Sequence, residues 1–138
     1  MIEILLASIA AMDTIKNNVQ LRKNQAPVAL RSLQDAITKH VEDMNRRLQA
    51  GLVVRQTPMA FEVYELEKPD ALLRVSLTGE SNIYYTQLVK RRNEMQSGVI
   101  YVRASQDGTP TILFSDFPSP NVEVSYHEAS NRLLNSSF

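Results

Sequence analysis

The chain has no cysteine and no tryptophan, and only four of its 138 residues are glycine. Without cysteine there are no disulfides, thiolate metal sites, iron–sulfur clusters or cysteine nucleophiles. With so little glycine, a backbone cradle for phosphate is not expected, and neither GxGxxG nor a P-loop occurs. Charge of one sign is also missing, because fifteen basic residues balance fifteen acidic ones. No global field draws the chain to nucleic acid or anionic lipid, so such binding would need a local patch.

Long hydrophobic runs are absent too. The apolar start from Met1 to Met12 carries Glu3 where a secretion signal would have a basic segment. It is shorter than the ~20 residues that span a bilayer. It is read as mature protein, cytoplasmic or within a virion or other assembly, with no membrane partner. Apolar content of 43% and charged content of 22% are ordinary for a globular protein. The length suits one domain.

What is present divides at Gly51. Ile2, Leu5, Ile9, Met12 and Val19 recur at helical spacing, with Lys16 interrupting the stripe. Asn24-Gln25-Ala26-Pro27 breaks the pattern, because the residue before a proline avoids the α region. A turn back into a helical hairpin is expected there, the alternative being a kinked continuation. A second stripe, Leu30, Leu33, Ile37, Val41, Met44 and Leu48, marks a clear amphipathic helix. Gly51 suits the left-handed position after its end.

After Gly51, strand-type residues take over. Short strands are expected at Leu52–Arg55, Phe61–Leu66, Leu73–Leu77, Ile83 to about Lys90, Val99–Arg103 and Thr111–Phe114. A loop should fill the segment from Lys90 to Gln96, the alternative being a helix that sets Tyr84, Leu88 and Met95 on one face. Gln106-Asp107-Gly108-Thr109 reads as a hairpin turn. Asp116-Phe117-Pro118-Ser119-Pro120 reads as extended. Val122–Tyr126 suits an edge strand, and Glu128–Leu134 one or two helical turns. The expected fold is α+β: one or two N-terminal helices packed on an antiparallel β-meander of about five strands. It forms a single domain over residues 1–138, with a helical part (1–50), a strand-rich part (52–126) and a short tail (127–138). The second helix covers the sheet, which leaves the first stripe partly spare.

Candidate chemistry is sparse. His40 sits at the edge of a helical stripe, where an imidazole packs its ring. His127 beside Glu128 could act as an acid or base. Two distant histidines without cysteine fall short of the three or four ligands zinc needs. Gly79-Glu80-Ser81-Asn82 lacks the second glycine of a nucleophile elbow. Glu62, Glu65, Glu67, Asp70 and Glu80 read as a solvated edge. No cofactor is implied.

The most suggestive constellation is Tyr84, Tyr85, Lys90, Arg91, Arg92, Tyr101 and Arg103. On adjacent strands, these tyrosines and arginines could share a face. Such a face suits single-stranded nucleic acid or a protein partner. The leading expectation is a non-catalytic structural or adaptor subunit of a multi-chain assembly, such as a phage or secretion-machine component. It would act through protein partners or self-association at Ile2, Leu5, Ile9, Met12 and Val19. The alternatives are a nucleic-acid module using the Tyr/Arg face, and a small enzyme using His127.

Overall fold

The computed structural model describes residues 2–78, 82–90, 92–114 and 123–135. For residues 2–19 the helical backbone alone is described. The fold is α+β, with two helices packed on a six-stranded antiparallel sheet. Helix α1 (Ile2–Leu48) is followed by β1 (Leu52–Thr57), β2 (Ala60–Glu65) and β3 (Ala71–Thr78). Then come β4 (Asn82–Val89), β5 (Glu94–Arg103), β6 (Thr111–Phe114) and α2 (Tyr126–Asn135). The strands lie in sequence order, each paired with the next. Short connections between antiparallel neighbours produce such a meander.

The expected hairpin at Pro27 does not form. One α-helix of 47 residues runs through it. Proline removes one backbone hydrogen bond and crowds the preceding turn. Burial outweighs that here: Ala26, Ala29, Leu33 and Ile37 are fully buried, while Pro27 stays on the solvent side. Leu30, Val41 and Met44 complete the buried stripe. The left-handed exit also falls earlier than expected. Gln49 takes φ 52°, and Gly51 follows at φ 64°.

Two side-chain amides fasten α1 to the strand layer. Gln25 Nε2 donates to the Ser105 carbonyl (2.6 Å), and the Ser105 N–H donates to Gln25 Oε1 (2.9 Å). Asn45 Nδ2 donates to the Leu52 carbonyl (2.9 Å), and the Leu52 N–H donates to Asn45 Oδ1 (2.8 Å). Each amide imitates a strand neighbour and satisfies backbone groups that the sheet leaves free.

Strand parity sorts the sheet into two faces. Phe61, Val63, Leu73, Val75, Ile83, Tyr85, Ile100, Val102, Ile112 and Phe114 turn towards the helices and form the core. Between Val63 and Tyr64 the register with β3 shifts, which accommodates Leu72 as an extra residue. Tyr85 fills the space above Gly98, its partner across the β4–β5 ladder. A Cβ on Gly98 would lie 2.5 Å from the Tyr85 hydroxyl oxygen. The Tyr85 ring also meets Phe114 edge-on at 5.8 Å.

The expected loop at 90–96 is shorter. β4 ends at Val89, a tight turn follows, and Asn93 (φ 51°) leads into β5 at Glu94. Met95 and Gln96 therefore lie in a strand. Asparagine tolerates the left-handed conformation, so the chain reverses without glycine. The expected edge strand at 122–126 reduces, within the described residues, to one bridge between Val124 and Ile112. Helix α2 begins there instead. Ser125 caps it by accepting the Glu128 N–H (3.0 Å), in an S-x-x-E arrangement. The C-terminal segment is thus more than a tail: Ala129, Ser130, Leu133 and Leu134 are buried. The extended stretch at Asp116–Pro120, Glu80 and the polar turn at Gly79–Ser81 lie outside the described residues.

Candidate functional site

Both helices cover one sheet face. The other face carries no helix among the described residues, and alternation brings Tyr84 and Tyr101 onto it. Tyr84 opposes Val99, and Asn82 opposes Tyr101, so the two rings are diagonal neighbours. They remain 41% and 47% exposed. Tyr85 does not join them: it points into the core and is 5% exposed. Adjacent residues in a strand must face opposite ways, so the pair could never share a face.

The expected cations are similarly divided. Arg103 shares the outer face but is paired with Glu123 at 2.7 Å. Lys90, in the β4–β5 turn, is ion-paired with Glu65, which also meets Lys68 at 2.7 Å. Glu65 is thus an internal staple between two turns rather than part of a solvated edge, its side chain being only 13% exposed. Arg92 lies exposed in the same turn. Arg91 lies outside the described residues.

The outer face gains two cations that lay outside the expected set. Register places Arg55 opposite Glu62, Glu62 opposite Arg74, and Arg74 opposite Thr86. Arg55 stacks on the Tyr64 ring at 4.7 Å, and the Tyr64 hydroxyl donates to Glu62 (2.8 Å). That bond raises the Tyr64 pKa above its ordinary value. The pairing of β1 with β2, and of β2 with β3, creates this row, and only the parity of Arg55 and Arg74 in their strands could have pointed to it.

A groove of about 700 Å³ lies between α1 and α2. It brings together the only two histidines, 87 positions apart in sequence (127 − 40). Asp35, Lys39, Asp43 and Arg47 line it with them. His40 Nδ1 lies 3.2 Å from Ser130 Oγ, which in turn donates to the Ala36 carbonyl (3.3 Å). That order makes Nδ1 the donor to Oγ, leaving Nε2 as the acceptor of a neutral ring. Asn131 Nδ2 stands 3.3 Å from His127 Nε2.

Burial holds the His40 pKa below its ordinary value, and His127 and Arg47 add to this against the opposing pull of Asp43. Asp43 is held low first by its Arg46 hydrogen bond. Its carboxylate meets Arg46 at 3.0 Å and Arg47 at 2.8 Å. Ser130 is fully buried, so its hydroxyl cannot meet a substrate as a nucleophile. The Ser130–His40 bond instead fastens α2 to α1. Among the described residues, no three histidine or acidic side chains are grouped to hold a metal ion. No described helix is long and apolar enough to cross a membrane.

The proposed interface positions Ile2, Leu5, Ile9, Met12 and Val19 all lie on the α1 backbone, their side chains lying outside what is described. Length is informative here. At about 1.5 Å per residue, α1 is roughly 70 Å long. The longest strand, β5, spans about 33 Å. The amides of Gln25 and Asn45 bracket a docked stretch of about 30 Å. The turns before Gln25 precede the first of these two clamps.

Comparison with protein-family models, with curated proteins and with solved structures finds no match.

Proposed function

We propose that this chain is a non-catalytic structural subunit of a multi-chain assembly, joined to other protein chains through the helical arm at residues 2–24. The observation that carries this reading is the excess length of α1 over the stretch clamped to the strand layer between Gln25 and Asn45. A lone helix of that length is marginal in water, and most helical stability comes from packing an amphipathic face. The arm carries such a face in sequence, at Ile2, Leu5, Ile9, Met12 and Val19. The clamps that tie α1 to its own sheet begin only at Gln25. A subunit with a compact body and a projecting helix suits a phage or secretion machine.

Light scattering of the full chain tests this. The mass should exceed the 15.6 kDa of one chain and rise with concentration. Leu5→Glu with Ile9→Glu should return it to one chain. A single-chain mass at every concentration, unmoved by those substitutions, overturns the reading.

A second reading rests on the outer face, where Tyr84 and Tyr101 stand with Arg55 and Arg74. Stacking on exposed tyrosines and phosphate contact by arginine would hold single-stranded nucleic acid. Arg55→Ala with Arg74→Ala should weaken oligonucleotide binding and flatten its salt dependence. Absence of binding by the unaltered chain at low salt overturns it.

A further inference from the structure

We propose that the outer sheet face holds a single strand of RNA, laid along one diagonal of the sheet. The inference rests on the second reading above and names its polymer and its path. The registers of four strands set Tyr64, Arg74, Tyr84 and Tyr101 on that diagonal. Glu62 opposes Arg74, and Tyr64 lies two residues from Glu62 on the same face. Arg74 opposes Thr86, with Tyr84 two residues away. Tyr84 opposes Val99, with Tyr101 two residues away. Each step moves one strand across and two residues towards the end of the sheet where β4 begins and β5 finishes.

The four positions differ in what they have left to offer. Arg55 covers the Tyr64 ring at 4.7 Å, and the Tyr64 hydroxyl is spent on Glu62. That end of the diagonal therefore presents a cation and not a bare ring. Arg74 is exposed and has no ion pair among the described residues. Tyr84 and Tyr101 are exposed rings. Arg103, beyond them, is neutralised by Glu123. Bare rings that lead into an unpaired cation suit a polymer with planar groups on an anionic backbone.

Spacing decides the form of that polymer. Diagonal neighbours on a sheet are about 7–8 Å apart, whereas phosphates along a duplex strand follow at about 3.4 Å. Bases stacked on one another cannot rest on successive rings here. A splayed single strand can, with one base to each ring. The surroundings of the rings favour ribose. Ser76 opposes Tyr84, Asn82 opposes Tyr101, and Thr86 opposes Ser97 in the next row. Among the described residues, none of these four side chains has a hydrogen-bond partner. Hydroxyl and amide groups offer both donor and acceptor, and so does the 2′-hydroxyl that separates RNA from DNA.

The chain has five tyrosines and no tryptophan, so its own emission reports on stacking. A uridine octamer titrated into the full chain at low salt should quench that emission. Tyr84→Leu with Tyr101→Leu should weaken binding roughly tenfold per ring and leave the salt slope unchanged. Arg74→Ala should reduce the slope by about 0.7, as one phosphate contact on a single strand requires. A deoxyuridine octamer should bind the unaltered chain several-fold more weakly, and duplex RNA more weakly still. Equal binding of the deoxyuridine octamer or of the duplex overturns this inference, as does full affinity in the tyrosine double variant. If Arg55→Ala with Arg74→Ala weakens binding in those cases, the second reading stands and only the diagonal RNA strand falls. No binding of either octamer by the unaltered chain at low salt overturns both. A proline-rich peptide bound in their place would make the same rings a peptide groove.

Discussion

The two halves of α1 are one continuous helix held in different ways. From Gln25 to Asn45, the helix is buried along its stripe against the sheet and clamped at both ends by paired amide bonds. Before Gln25 it has length and an apolar pattern in sequence, and it precedes the first clamp. The difference teaches that amphipathicity specifies a face to be buried without specifying what buries it. The docked half is answered within its own chain. The arm, on our reading, is answered by another.

The largest test of this contrast compares Leu33 with Met12. Leu33→Ala empties a fully buried position and should lower unfolding free energy by about 2–5 kcal/mol. Denaturant melts should show that loss at any protein concentration. Met12→Ala should change the dilute chain by less than about 0.5 kcal/mol. Equal losses at high dilution would break the contrast.

Pro27 lies just inside the docked half, and its removal should strengthen the joint. Pro27→Ala restores the missing N–H and relieves the ring, raising stability by up to about 3 kcal/mol. A lower melting temperature would show that the proline is needed there. Gln25→Ala tests the clamp itself. It leaves the Ser105 N–H and carbonyl without their partner, at a cost of about 1–3 kcal/mol. Hydrogen exchange should quicken at Ser105 and leave Leu52 protected. If both quicken together, the two clamps are not independent.

The smallest effect concerns the fastening of α2 to the docked half. His40 has a folded pKa below its ordinary 6.5, because burial disfavours the imidazolium. The unfolded chain therefore takes the proton more readily. The stability contribution is complete above pH 6.5 and is lost as pH falls through the lowered folded value. Melting temperature should drop in that window, and His40→Gln should flatten the drop. An unchanged pH profile in the variant would remove His40 from the linkage.

Particular elements show how much was legible beforehand. The stripe from Leu30 to Met44 and the alternation at Leu73–Leu77 and Val99–Arg103 were readable, because burial on one side imposes a period. The continuity at Pro27 was not. Local chemistry argued for a turn, and packing of residues on either side outweighed it. The short turn at Lys90–Asn93 was obscured because Lys90-Arg91-Arg92 resembles a helix or loop. Of the candidate site, Tyr84 and Tyr101 were legible as surface aromatics, while Tyr85 was misplaced by ignoring parity with its neighbour. The joining of His40 to His127 had no signal, since α2 and α1 meet only after the whole sheet is laid down.

The sequence by itself determined the period of each element, the balance of charge and the exclusion of cysteine chemistry, because these depend on residues near one another or on simple counts. Only the tertiary structure decided that Gln25 and Asn45 are clamps, that Glu65 is a staple between Lys68 and Lys90, and that α1 runs unbroken through Pro27. Those facts depend on which distant backbone groups need partners and on where one element ends against another. No local pattern records either.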